Sequence, residues 1–474
     1  MHNGYVHGSN GVCHNHKNSS HNTHGKDKSS TAARFTWRAN DDVFHKKVNG
    51  TSEISDASYE EDSSNSGSDD GSGGSIGSIN DVARACKKVQ LERARSIPAD
   101  IGVSREIRLF SFGSVHGSWF RRRKLILHLD IRNTILVADS VTDVTVEEAL
   151  NSFLTGIVWG SEVKGEWKWH SNIPTLKSPT PGLVTYYKYL ERKLVKNTAD
   201  RAMLRLQTGD FTRTPLGKIF RKHFEIHLAR LSWQHDWETS RDKVLTMDGR
   251  DGRPYHYILP SVYKLLHHLV ATKRDFAIII RTYGRDANNV LSSLHYGLRG
   301  HHPAFRSPLY IPVDKTPGTI KRSGNSFELK TFATKREQEI HQLLTHERDI
   351  YRLMCASKGI SGYVDDFLAW QDNNYNHTSG KPIWIDPSDH RHHHIFFDDN
   401  FRADDEDSIL DVRMFRKENP GKAESLSHAE LVDLEEVCLV QADLLESIAD
   451  EDYFIKTVQK CEENYARMVM GGEL

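Results

Sequence analysis

The chain lacks long apolar runs, closely paired cysteines and any appreciable net charge. Its 474 residues carry 63 Lys and Arg against 64 Asp and Glu, a formal charge of −1. No global field therefore draws it to nucleic acid, and the balance argues against a nucleic-acid partner. The five cysteines, Cys13, Cys86, Cys355, Cys438 and Cys461, are far apart and odd in number. That pattern fits free thiols in a reducing compartment better than a disulfide framework. No stretch approaches the ~18 consecutive apolar residues of a membrane helix. The start of the chain shows neither an apolar signal core nor an Arg-rich amphipathic stretch. A cytoplasmic protein is expected by default, with the nucleus also open, and no membrane partner.

Large apolar side chains are scarce in the first hundred residues. Met1–Ser30 is rich in His, Asn, Gly and Ser, and Thr51–Asn80 is mostly Ser, Gly and acidic residues. Residues 1–100 cannot bury enough surface to offset their ordering entropy and are expected to form a disordered, low-complexity tail.

Chemistry begins further on. Leu125–Val137 reads LILHLDIRNTILV, an apolar run interrupted by Asp130. Such a run fits a strand buried on both faces. A charge there is costly unless it is paired or metal-bound, and the carboxyl end of such a strand is where open α/β sheets bind ligands. Two later stretches repeat the form: FAIIIRTYG (Phe276–Gly284) ends on Thr282, and IFFDDN (Ile395–Asn400) ends on Asp398 and Asp399.

Carboxylate, then hydroxyl, then acidic pair, each closing an apolar strand, is the order found in the haloacid dehalogenase (HAD-like) superfamily. The chain resembles that superfamily from about Lys124 to Arg413. DIRNTI, IIIRTYG, IFFDDN and the late DEDYFIKTVQKCEEN resemble a little-characterised eukaryotic branch of it. The resemblance implies an α/β fold: a HAD-like Rossmannoid parallel sheet with helices on both faces and a large inserted cap. It implies a Mg²⁺-dependent phosphoryl-transfer enzyme, most simply a phosphohydrolase. Asp130 would be the nucleophile that forms an aspartyl-phosphate, and Thr282 would bind a phosphate oxygen. Asp130, Asp398, Asp399 and the main-chain carbonyl of Arg132 would hold Mg²⁺. The partner would be a phosphorylated small molecule or a phosphoprotein. The chemistry is self-consistent, because splitting one hard step in two needs a carboxylate nucleophile, and clustered anions need a hard cation with oxygen ligands.

One position departs from the superfamily pattern. Where the phosphatases place a second aspartate as general acid/base, this chain has Arg132. A guanidinium does not shuttle protons, and a missing acid/base lowers rates by roughly 10²–10⁴-fold. The alternative is therefore a non-catalytic HAD-like binding or scaffold protein that keeps the phosphate pocket.

Other assignments are looser. Lys381 lies 17 positions before Asp398 and precedes the apolar Pro382–Ile385. It is preferred as the balancing lysine over Lys358, which precedes a helix-like run at Ser361–Trp370. Arg281 and Arg285 flank Thr282 and carry the forked donors that match phosphate, and Gly284 permits a close backbone approach. These three are the candidate substrate-binding residues. Asp404 has the spacing of an outer metal-binding carboxylate. His390, His392, His393 and His394 suggest zinc, but neighbours in a strand alternate faces, so the HHH run cannot converge on one ion.

The core is expected at 124–140 and 259–413, with the cap insertion at 141–258. Helices are read at Glu147–Val158, Thr185–Arg192, Lys218–Trp237 and Leu259–Thr272. The aromatics Trp159, Trp167, Trp169, Trp233 and Trp237 are taken as core of the insertion. Residues 427–474 are read as a helical segment on the core, with helices at Leu431–Leu445 and Asp450–Met468.

Overall fold

The structure is a computed structural model and describes residues 123–138, 144–196, 200–234, 236–237, 241–333, 336–403 and 408–471. The 1–100 tail and Asp404 lie outside the described residues.

Five segments form the parallel centre of the molecule: β1 (Lys124–Asp130), β2 (Phe276–Thr282), β3 (Gly359–Val364), β4 (His392–Asp398) and β5 (Leu439–Gln441). They stand in the order β3-β2-β1-β4-β5, and every neighbouring pair is parallel. Beyond β3, strand Gly318–Ser323 adds in parallel, and Ser326–Ala333 and Arg336–Leu344 extend the edge antiparallel, for eight strands in all. The protein is thus a mixed α/β fold around a mostly parallel sheet. None of the described helices is long and apolar enough to cross a membrane.

Both faces of β1 are buried, as its unbroken apolar run requires. Leu125, Leu127 and Leu129 join Ile278 and Ile280 in a cluster with helices Pro260–Ala271, Ala287–Tyr296 and Tyr453–Gly471. The alternate residue Ile126 faces the other way, with Ala277 and Ile279, onto helix Glu347–Ala356 and a second sheet. That second sheet has three strands, Lys381–Ile385, Leu410–Arg416 and Asn419–Ser425, and Lys381 is its first residue.

The segment between Asp130 and β2 contains helices Val146–Thr155, Tyr186–Leu194, Arg201–Gly209 and Arg221–Leu231, with two small sheets. The first helix starts with a capping box, Thr145 and Glu148 satisfying each other's backbone N–H. Trp167, Tyr186, Phe211 and Phe220 belong to the same hydrophobic cluster as Leu127 and Ile278, so this segment shares its core with the sheet. Trp167 and Trp233 are buried, in line with core roles.

Two stretches expected to be continuous helix contain strand as well as helix. Leu431–Leu445 breaks into helix His428–Leu434, strand β5 and helix Leu444–Ala449. Glu436, with φ of 58°, turns the chain, and Leu439 and Val440 pair with Phe396 and Phe397 of β4. A three-residue strand shows no period, and the surrounding leucines imitate helical spacing. Similarly, Ser361–Trp370 is the end of β3 followed by a short helix, Phe367–Asp372.

Candidate functional site

In a sheet of this order the chain leaves β1 toward β2 on one side and meets β4 on the other. The crevice outside the carboxyl ends of β1 and β4 is the topological switch point where open α/β sheets bind ligands. Asp130 ends β1 and Asp398 ends β4, so both acids stand at that crevice. Carboxylate oxygens of Asp130, Asp398 and Asp399 lie within 4.8 Å of one another, and all three residues are buried.

Lys381 joins them from the second sheet. Its Nζ donates to Asp130 Oδ1 at 2.5 Å and to Asp398 Oδ2 at 2.8 Å, and it lies 5.2 Å from the centre of the Tyr283 ring. Lys358, by contrast, is exposed at the amino end of β3, the wrong end of the sheet. Burial opposes the charge on Lys381, but Asp130 and Asp398 outweigh it and hold the ammonium protonated. Lys381 is bonded to two of the three carboxylates, and Arg402 acts on Asp399 through its charge alone. Burial, with repulsion from Asp398 and Asp399, therefore pushes Asp130 well above the usual carboxylate range despite Lys381. Burial and Asp398 likewise push Asp399 up to about 7.

The turn after β1 supplies a residue that the sequence reading missed. Asn133 adopts φ of 59°, a conformation asparagine tolerates. Its amide donates to Asp399 Oδ2 at 3.1 Å. Asn400 completes the support, donating its backbone N–H to Asp398 Oδ1 at 2.9 Å and its amide to Asp399 Oδ1 at 3.2 Å. An all-oxygen set of three carboxylates, held in place and short of positive charge, fits Mg²⁺ in donor chemistry.

Thr282 is buried at the end of β2. Its Oγ1 accepts from Gly284 N–H at 2.8 Å and donates to Asp286 Oδ1 at 3.2 Å. Asp286 was missed because an aspartate before a helix reads as an ordinary N-cap. Here it makes no side-chain cap bond to helix Ala287–Tyr296 and turns to Thr282 instead. Burial raises its carboxyl above the usual range, while the positive charge of Arg132 pulls it back. The Arg132 side chain thus acts on Asp286, and its backbone bridges to Leu136 within the turn.

Arg281 is held in an internal ion pair. It is fully buried on the face of β2 that meets the second sheet. Its Nε and Nη2 pair with Asp365 at 2.9 and 2.5 Å, and Nη2 also donates to the Pro382 carbonyl at 2.9 Å. Arg281 stands opposite Asp130 in the parallel pairing of β2 with β1 and shares its face of the sheet, but its Nε and Nη2 are committed to Asp365 and the Pro382 carbonyl. Arg281 instead fixes the residue next to Lys381. Arg285 is exposed, one residue past Gly284.

Comparison of the chain with known family models, with curated proteins and with solved structures gave no match.

Proposed function

We propose that the protein is a HAD-like, Mg²⁺-dependent phosphoryl-transfer enzyme, most simply a phosphohydrolase, acting on a phosphorylated small molecule or phosphoprotein. The observation that carries this reading is the convergence of Asp130, Asp398, Asp399 and Lys381 at the switch point of the sheet.

In this reading an Asp130 oxygen attacks phosphorus as the leaving-group oxygen departs, which forms an aspartyl-phosphate. Water then cleaves the new P–O bond, releasing phosphate and restoring the carboxylate. Mg²⁺ held by Asp130, Asp398 and Asp399, with the Arg132 carbonyl, would supply the positive charge that keeps these buried acids ionised and offsets the incoming phosphate. Lys381, already fixed between Asp130 and Asp398, keeps the nucleophile oriented and stabilises charge as it develops. The Gly284 turn presents the Thr282 hydroxyl to a phosphoryl oxygen, with Asp286 holding its rotamer. Arg132 neither takes nor gives a proton, so the attacking water lacks a base and the aspartyl-phosphate should be long-lived.

A second reading, a binding or scaffold protein that retains the pocket without turnover, is favoured by Arg132 alone. The deciding experiment is a panel of phosphorylated metabolites assayed with Mg²⁺, comparing wild type with Asp130→Asn. Turnover that requires both Mg²⁺ and Asp130 supports the enzyme. If the wild type shows no turnover above Asp130→Asn, yet binds Mg²⁺ and a phosphate analogue, the binding reading stands.

A further inference from the structure

The opposite end of the sheet gathers a second set of metal-ligand side chains. The histidine run alternates as a strand must, and His393 turns away to the Val437 carbonyl, 2.8 Å distant, and the Tyr465 ring. His392 and His394 therefore share the other face. They meet Cys355, near the end of helix Glu347–Ala356, and Asp389, from the loop before β4. Alternation forbids three histidines on one ion but leaves two on one face, where residues from other elements complete the set.

We propose that Cys355, Asp389 and His392 form a zinc-class transition-metal site at the amino-terminal edge of the sheet, with His394 beside the sulfur as an outer partner. One ligand atom from each of the three lies within 4.8 Å of the others. A point therefore exists within about 2.8 Å of all three, and small side-chain rotations bring them to the ~2.0–2.3 Å of Zn–N, Zn–O and Zn–S bonds. One thiolate, one imidazole and one carboxylate suit zinc and match neither Mg²⁺ nor Ca²⁺. Three protein ligands leave a fourth position for water.

The surroundings already hold these groups in place. Asp389 Oδ2 accepts from the Tyr351 hydroxyl at 2.9 Å and lies 2.8 Å from His392 Nδ1, while Asp389 Oδ1 accepts from the Arg391 N–H at 3.0 Å. His394 Nε2 lies 3.3 Å from Cys355 Sγ, and its Nδ1 is 3.0 Å from His128 Nε2. Such outer-shell bonds fix ring orientation at metal sites. Asp389 and His392 are 15% and 20% exposed at their side chains, which opens a path for an ion. On binding, the sulfur–metal bond replaces the S–H bond and the proton leaves to solvent. The site is separate from the carboxylate crevice, because His392 and Asp398 stand six residues apart in β4, roughly 20 Å at ~3.3 Å per residue.

The test is Co²⁺ titration of the full chain, reduced and stripped of metal, followed by absorbance. The expected result is a thiolate-to-cobalt charge-transfer band with intense tetrahedral d–d bands, displaced by Zn²⁺. Cys355→Ser should abolish the charge-transfer band. His392→Gln, a change at a partly exposed position, should weaken Co²⁺ binding by at least the ~10–100-fold seen for outer-shell changes. Asp130→Asn should leave the charge-transfer band unchanged, which separates this site from the crevice. Cys13→Ser should also leave it unchanged, which separates it from the His-rich N-terminal segment. No charge-transfer band in wild type, or a band that survives Cys355→Ser, overturns the proposal. So does His392→Gln with wild-type affinity.

Discussion

Replacing Lys381 with methionine keeps most of the side-chain volume and deletes the only cation bonded to Asp130 and Asp398 among the described residues. Its two bonds, at 2.5 and 2.8 Å, are both buried. Removing one partner of a buried ion pair costs about 3–5 kcal/mol, because a charge is left uncompensated, and here two carboxylates lose the same partner. With about 2–4 °C of melting temperature per kcal/mol in domains of ~150–250 residues, the drop at pH 8 should be roughly 6 °C or more. The pH dependence has a fixed sign. Asp130 and Asp399 titrate above their unfolded range, Asp399 at about 7. The folded state therefore binds more protons than the unfolded one, and stability falls as pH rises from about 4 through 7. Loss of Lys381 raises the folded values further, so the deficit of Lys381→Met should be larger at pH 8 than at pH 5. Mg²⁺ at about 100 times its Kd should return some 2.7 kcal/mol. Thermal melts of the full chain at both pH values, with and without Mg²⁺, measure each of these effects. A deficit below about 1 kcal/mol at pH 8, or one equal at the two pH values, refutes the reasoning.

Arg281→Met should leave Asp365 buried without its partner and destabilise by about 3–5 kcal/mol, read as lost soluble yield or melting temperature. A folded variant with only a raised KM would restore Arg281 as a substrate contact. Arg132→Asp should raise Mg²⁺-dependent hydrolysis by roughly one to two decades, within the range of an added acid/base. Activity that this change abolishes would make Arg132 a substrate clamp. Asn133→Ala removes a hydrogen bond to an acid and puts alanine at φ of 59°, a combined loss of about 1–3 kcal/mol. Mg²⁺ affinity should weaken with it, and titration calorimetry compares the two proteins.

The positions of Asp130, Thr282 and Asp398 at strand ends were legible in the sequence, because a polar residue closing an apolar run marks the mouth of a parallel sheet. The partners of those residues were not. Arg281 shares a face with Asp130 through the register of β2 against β1, and no local pattern encodes that register or the ion pair of Arg281 with Asp365. Asp286 sits where a helix cap is expected, so only its actual bond to Thr282 reveals its role. The strand Leu439–Gln441 was hidden by leucines at helical spacing on either side. Lys381 was readable by interval alone, and its reach to both acids depends on how the second sheet docks.

That docking bears on how the protein is made. Asp130 and the lysine bonded to it are 251 residues apart in the chain. At a synthesis rate of about 5–20 residues per second, roughly 13–50 s separate their emergence from the ribosome. During that interval Asp130 has neither Lys381 nor Asp398 beside it, and β1 has no β4 to pair with. Truncated or nascent chains therefore lack the assembled acidic crevice, and a complete crevice reports that translation has passed the second sheet and that the sheet has docked.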